Sequence, residues 1–499
     1  MRWHSEAAPR SAALKICRRA ARAARAASAI LLLALGLSLS GIGCGKHDGG
    51  SGNAGSGSAG GKGGGNASAS LRGDSLSTMT IVVCGDTAGW IVPCGCTAGQ
   101  SGGLLRRASY VEQLRAAAPL GLFDAGGAAG TNASQYEKLK FRAICQGEVK
   151  MGVLAHNLGR SELALGPGTV RAIAEETGVP FVSTNTADRD GQPLASRTLV
   201  VGPPAWPIGV LGVASPQYAT EEISVADARE SVLRYLPELQ QKCRTVLVLA
   251  YLPEVELQAL AESLPEVDLV LGGPTNQSIA PRSSGPTTWG SSTSKGKFLL
   301  QLRGAVVERR AVWSGQIVEM DERFADHPDQ RANLTAFYRR LEELDLPAGD
   351  SGFAPRLPSE LPMDFRVAGT TSCAPCHGEI VDEWRQSAHA HAWQTLLDKQ
   401  SAVDPYCQHC HTTAYGLPSG FLNRASGSDR LDVGCESCHG PSAAHLRDSR
   451  LRTPYDAADR CRQCHDQENS PAFDYNGYWA RIAHGAAARS CASKLQAGD

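Results

Sequence analysis

Between Thr80 and about Leu344 the chain alternates short β-rich apolar runs with stretches whose apolar residues recur at helical spacing. The runs 81–84, 121–124, 180–183, 208–213, 245–252 and 267–271 predict strands, and 104–118, 170–177, 226–239 and 254–264 predict helices. Strands separated by helices predict an α/β domain built on a buried, largely parallel sheet. Segments 297–303, 306–313 and 316–321 predict a terminal meander, and 329–344 a closing helix.

The N-terminus follows a different pattern. Arg2, Arg10, Lys15, Arg18, Arg19, Arg22 and Arg25 precede an apolar run over 27–43, which small residues close just before Cys44. A basic segment, an apolar segment and small residues at its end make a secretory signal, so the chain is expected to be exported. Ser40-Gly41-Ile42-Gly43-Cys44 resembles a bacterial lipoprotein cleavage box, with Gly41 where an aliphatic residue is usual, and predicts lipidation of Cys44. Plain cleavage, or retention of the run as a short anchor, are the alternatives. Residues 45–70 hold eleven glycines among 26 positions and have almost nothing to bury, which predicts a disordered tether.

Charge agrees with export and excludes a nucleic-acid partner. Residues 1–44 hold seven basic side chains and one acid, Glu6; the remainder has 42 basic against 49 acidic residues, a net charge of −7. The expected location is therefore the periplasm or cell envelope, with a membrane reached through the lipid.

Within 80–321, order and spacing resemble the calcineurin-like metallophosphoesterases of the 5′-nucleotidase type. The family's Asp-x-His-Gly motif falls on Asp86-Thr87-Ala88-Gly89, its Asp-Ala-Gly-Asp on Asp124-Ala125-Gly126-Gly127, and its Gly-Asn-His-Glu on Gly159-Arg160-Ser161-Glu162. Ser183-Thr184-Asn185 matches a strand end, and Gly272-Gly273-Pro274-Thr275-Asn276 a late Gly-Gly-His-x-His motif. The resemblance implies a four-layer sandwich. Ala88, Gly127, Arg160, Ser161, Tyr251, Pro274 and Asn276 stand where ligands are needed, leaving Asp86 alone, and one carboxylate cannot hold two divalent ions. The domain is expected to be inactive. An oxidising compartment favours one or two disulfides among Cys84, Cys94, Cys96, Cys145 and Cys243; the alternative is a thiolate metal site from Cys94, Cys96 and Cys84.

The C-terminal region carries the chemistry. Four pentads read Cys373-x-x-Cys376-His377, Cys407-x-x-Cys410-His411, Cys435-x-x-Cys438-His439 and Cys461-x-x-Cys464-His465. Two thiols on one turn reach the two vinyl groups of a porphyrin and the adjacent histidine ligates its iron, so the pattern predicts four covalently bound c-type haems. Paired zinc ribbons also use Cys-x-x-Cys, but zinc does not require histidine after every second cysteine. At about 30 residues per haem the porphyrins must themselves be the core, which points to electron transfer. Met363 is the only methionine beyond residue 320, so imidazole is the default sixth ligand, offered by His389, His391, His445 and His484.

This region resembles the tetrahaem cytochrome c family of nitrifier electron carriers. The resemblance rests on the pentads, Trp384-x-x-Ser387-x-His389, Cys435-Glu436-Ser437-Cys438-His439-Gly440-Pro441 with His445, and Asn469-Ser470-Pro471-x-Phe473-Asp474-Tyr475 with His484. It implies a mostly helical, haem-packed domain with distal ligands like His389, His445 and His484, and it allows one open-sided haem, which suits His391. The expected chain is thus multidomain: a signal peptide with lipobox (1–44), a Gly/Ser-rich linker (45–78), a metallophosphoesterase-like domain (79–345), a linker (346–366), a multihaem cytochrome c domain (367–488) and a tail (489–499). Its expected work is electron exchange with redox partner proteins. The alternatives are an oxidoreductase acting on a small nitrogen or oxygen species at an open-sided haem, and a 5′-nucleotidase-like hydrolase.

Overall fold

A computed structural model of the chain describes residues 78–93, 100–307, 310–451, 453 and 457–484. Cys44, the signal and tether segments, Cys94, Cys96 and Cys491 lie outside the described residues. Gly73–Phe473 is one body, and Asp474–Asp499 falls with Met1–Arg72 in another.

Alternation along single strands sorts the apolar residues of the first half into three layers. The strands are β1 (Thr78–Cys84), β2 (Leu120–Asp124), β3 (Val153–Asn157), β4 (Phe181–Val182), β5 (Thr186–Asp188), β6 (Thr198–Val201), β7 (Ile208–Ala214), β8 (Ile223–Val225), β9 (Thr245–Tyr251), β10 (Leu269–Gly273), β11 (Ile279–Ser284), β12 (Thr287–Ser291), β13 (Phe298–Val307) and β14 (Arg310–Glu319). They make two six-stranded sheets, ordered β14-β13-β1-β2-β3-β4 and β11-β12-β10-β9-β7-β6, with a small β5-β8 pair.

In β1, Met79, Ile81 and Val83 enter a core shared by the two sheets, while Val82 and Cys84 enter a second core on the other face. In β9, Leu247 and Leu249 enter the shared core, and Val246, Val248 and Ala250 a third. Helices α1 (Gly103–Ala117), α2 (Gln135–Met151), α3 (Arg160–Ala164) and α4 (Pro167–Thr177) cover the outside of the first sheet. Helices α5 (Ala228–Lys242) and α6 (Glu254–Ser263) cover the second, and α7 (Pro328–Leu344) returns to the first. The result is a helix–sheet–sheet–helix sandwich, the four-layer form implied by the resemblance. The strand runs alone predict one sheet, because β7 and β9 are buried at every position and do not declare which side meets the other sheet.

Two details depart from expectation. The predicted meander is a single long hairpin, β13 antiparallel to β14 from Phe298↔Glu319 to Val307↔Arg310, and Ser314-Gly315 runs through it without a break. Cys84, Cys145 and Cys243 are free thiols, so none of these three forms an expected disulfide; Cys84 and Cys145 are buried between sheet and helices.

The C-terminal region is built from short helices: α8 (Ala348–Ser351), α9 (Ala374–Arg385), α10 (Ala392–Asp398), α11 (Pro405–His411), α12 (Cys435–His439), α13 (Ala443–Arg447), α14 (Ala457–Arg462) and, in the second body, α15 (Tyr475–Ile482). No helix among the described residues is long and apolar enough to cross a membrane. The connector expected over 346–366 is wedged into the structure at its start. Leu346, Ala348 and Ser351 are buried, and the Ala348 N–H donates to the Leu422 carbonyl at 2.7 Å.

Candidate functional site

The parallel strands bring the phosphoesterase-type motifs together at their C-terminal ends. Asp86 follows β1, Asp124 ends β2, Gly159 to Glu162 follow β3, and Tyr251 ends β9. The side chains present are committed elsewhere. Asn185 donates to the carbonyls of Ala214 and Ala226, both at 2.8 Å, and accepts from the Ala214 N–H. Glu162 accepts four backbone N–H groups, from Gly127 (3.0 Å), Ala128 (2.6 Å), Ala129 (2.9 Å) and Gly159 (2.8 Å).

The ring of Tyr251 fills the space between the two glycine-containing loops. A Cβ on Gly127 would lie 2.5 Å from it, and a Cβ on Gly159 2.7 Å. The two glycines therefore admit the ring, and a carboxylate at position 127 cannot share the site with it.

Behind the motifs lies a buried charge cluster that strand and helix patterns do not announce. The Cys84 thiol donates to Asp124 Oδ2 at 3.1 Å, and Arg107 Nη1 stands 3.7 Å from Asp124 and 3.6 Å from Glu148. Sulfur and carboxylate oxygens here lie within 4.8 Å of one another, a donor set a cation could share; the guanidinium already supplies the positive charge. His156 Nδ1 is 2.6 Å from Glu148 Oε2, with both side chains buried.

Burial alone would lower the pKa of His156, but the carboxylates of Glu148 and Asp124 outweigh it and hold the imidazole at about 9. The native state therefore binds a proton that the unfolded chain releases near pH 6.5. This stabilisation is complete below that pH and disappears as pH rises through about 9. A loss on the order of 2 kcal/mol between neutrality and that point is expected. Denaturant midpoints measured across the range check it, and His156→Gln should flatten the slope.

In the C-terminal region, backbone turns place each pentad on or beside a short helix: α9, α11, α12 and α14. The pentads meet in a definite order. The thiols of Cys373 and Cys435 lie close together, as do those of Cys410 and Cys464, and Cys438 lies near Cys461 and Cys464. The first pentad therefore adjoins the third, the second adjoins the fourth, and the third adjoins the fourth.

Imidazoles pair as well. The ring centres of His377 and His445 are 6.3 Å apart at 24° between planes, and those of His389 and His465 are 6.2 Å apart at 51°. Second partners fix several rings by their Nδ1 atoms: His445 on the Leu451 carbonyl (2.7 Å), His411 on the Ala392 carbonyl (2.7 Å) and His465 on Ser470 Oγ (2.9 Å). A ring held by Nδ1 presents Nε2. His391 is exposed, with Nδ1 3.0 Å from the Ser387 carbonyl one turn back. In the second body, His484 Nδ1 is 3.0 Å from the Ile482 carbonyl. Among the described residues no imidazole stands opposite His411 at the spacing of the two pairs.

Sequence reasoning missed two supports. Glu436, inside the third pentad, is buried and accepts N–H groups from Ala368 (2.8 Å), Gly369 (2.7 Å) and Ser442 (2.7 Å), clasping the approach to the first pentad. Asp404 caps α11 through the Tyr406 N–H at 2.9 Å and accepts from the buried Tyr136 hydroxyl of α2 at 2.7 Å. Only an apolar neighbourhood around an acidic residue could have signalled either.

Residues 372–440 match the family model described as cytochrome c554 and c-prime. A cytochrome c-554 from Nitrosomonas europaea is 28% identical over 147 residues, covering 22% of this chain and 63% of that protein. The match therefore spans less than two thirds of that relative's length. The C-terminal region is similar to this family, as expected, and the likeness implies c-type haem. Solved structures similar to this chain include a 5′-nucleotidase precursor from Thermus thermophilus, at 19% identity and a TM-score of 0.47 over 64% of this chain and 68% of that one. The calcineurin-like phosphoesterase YfkN from Bacillus subtilis is 14% identical, with a TM-score of 0.45, over 53% of this chain and 97% of that one.

Proposed function

We propose that this chain is an exported, membrane-tethered c-type cytochrome that transfers electrons through four haems, with its phosphoesterase-like domain serving as a non-catalytic scaffold. The observation that carries the reading is the pairing of a pentad imidazole with an imidazole from outside the pentads, seen twice. Two imidazoles ligating one metal from opposite sides, each through a bond of about 2 Å, have ring centres roughly 6 Å apart. His377 with His445, and His389 with His465, stand at that separation, so the donor set fits haem. When bound, haem supplies one-electron chemistry, at low potential where imidazoles are its ligands and the exposed Met363 is not.

The chain's own residues do the rest. Cys373, Cys376, Cys407, Cys410, Cys435, Cys438, Cys461 and Cys464 would anchor the porphyrins, and His377, His411, His439 and His465 would ligate the iron. Glu436 and the Asp404–Tyr136 bond hold the pentads in place. Contact between first and third, second and fourth, and third and fourth pentads gives a continuous route. The signal segment and Cys44 would tether this route in the cell envelope, to exchange electrons with redox proteins there.

The metal centre of an active phosphoesterase does not fit the first domain. Gly127, Arg160, Ser161 and Pro274 supply no suitable ligands, and Tyr251 occupies the space between the loops. A second reading is favoured by His411, which lacks an opposed imidazole among the described residues: an open side at the second pentad, where a small nitrogen or oxygen species could bind.

The mass of the intact purified protein, taken with its optical spectrum, tests the proposal. Four covalent porphyrins and a diacylated Cys44 are expected; colourless material with free or zinc-bound thiols would end it. Addition of carbon monoxide to the reduced protein separates the readings, because a spectral change in one haem supports the open-sided alternative.

A further inference from the structure

Asp86 is the one metal-ligand type left at its motif, and its side chain is occupied. Its Oδ2 accepts from Thr293 Oγ1 at 2.7 Å and from the Ser294 N–H at 3.2 Å, while its carbonyl accepts the Lys295 N–H at 2.8 Å. Asp86 (φ 51°), Ser294 (φ 74°) and Lys295 (φ 61°) are all left-handed, a conformation that costs free energy for residues with a Cβ. The three hydrogen bonds offset that cost and fix a turn that these residues would not choose alone.

The turn has a direction. It places Lys295 Nζ 5.2 Å from the centre of the Trp90 ring and in an ion pair with Glu468, the third residue past His465. Trp90 meets Tyr406 edge to face, with ring centres 5.4 Å apart at 79°, and Tyr406 immediately precedes Cys407. Lys140 lies 5.9 Å from the Trp90 ring centre and 5.3 Å from that of Tyr406. Asn469 Nδ2 donates to the Tyr406 hydroxyl at 3.2 Å, tying the second pentad's approach to the fourth pentad's exit.

We infer that Asp86 is a positioning residue for the cytochrome region, holding the 293–295 turn so that Lys295 and Trp90 clamp the flanks of the second and fourth pentads. This rests on the electron-transfer reading above and names the scaffold's working parts: the rim of the former metal site is the docking face for two of the four pentads. Because those pentads also share the Cys410–Cys464 contact, the clamp sets how both are presented to each other. None of the clamp's partners, Tyr406, Glu468 and Asn469, flanks the first or third pentad, which Glu436 holds together.

The test uses the full haem-loaded chain. Asp86→Gly keeps the left-handed backbone without steric cost and removes the acceptor. Lys295→Glu breaks the ion pair, and Lys295→Glu with Glu468→Lys restores it in reverse. Amide exchange over 404–411 and 466–470 is expected to quicken about tenfold in the first two variants and to return to the parent rate in the double variant. A redox titration followed by paramagnetic resonance should show two haems shifted in Asp86→Gly and two unmoved. Unchanged exchange and four unchanged haems in folded Asp86→Gly, or failure of the reversed pair to restore protection, overturns the inference. Should Asp86→Gly not fold, the reversed pair decides alone. Phosphoester hydrolysis dependent on added manganese or zinc and lost in Asp86→Gly would instead sink the scaffold reading.

Discussion

Glu162→Ala should leave the phosphoesterase-like domain unfolded or barely folded. The carboxylate collects four backbone N–H groups from two loops in a fully buried position, and alanine leaves all four without that acceptor. An unsatisfied buried donor costs about 1–3 kcal/mol, so the loss is roughly 5 kcal/mol or more, of the order of a whole domain's stability. Glu162→Gln, which retains one carbonyl oxygen but turns an NH2 group toward the other donors, falls between. Denaturant unfolding followed by tryptophan fluorescence reports both. An alanine variant of parental stability would mean that the loops carry their own support.

His445→Ala and His389→Ala are each expected to open one haem completely, and a different one. Each should convert a single low-spin signal to high spin and create a carbon monoxide-binding iron, while the double variant opens two. His391→Ala is expected to leave every haem signal as it was, because among the described residues its exposed ring is paired with no other imidazole as His445 and His389 are. Paramagnetic resonance of the oxidised variants, paired with carbon monoxide difference spectra, reads the result. If His391→Ala opens a haem and His445→Ala does not, the ligand pairing drawn from the ring separations is wrong.

The pentads that predict haem attachment were legible in the sequence because each is complete within five residues, so no tertiary information is needed to recognise the pattern. The pairing of pentads was not legible, since Cys373 and Cys435 stand 62 positions apart and nothing in either pentad names the other. For the first domain, the motif spacing resembling phosphoesterases implied four layers where strand patterns alone implied one sheet. The hairpin over 298–319 differs from the meander expected over 297–303, 306–313 and 316–321, whose breaks fall at Gly304-Ala305 and Ser314-Gly315. In the structure Gly304 and Gly315 instead make room for the Trp313 ring and for the Gln301 carbonyl with Leu302. An oxidising compartment favours disulfides, whereas Cys84 serves as a hydrogen-bond donor inside the Arg107 cluster.

The wedge at 346–353 bears on how such a protein can be dissected or inherited. Phe353 packs on Tyr136 from one side and on Tyr406 and His409 from the other, so a cut after Leu344 would bare aromatic surface on both fragments. Recombination at this seam would yield two sticky halves rather than two modules. The tandem is therefore expected to travel as a single genetic unit, and a stand-alone cytochrome fragment should need new polar substitutions before it stays in solution.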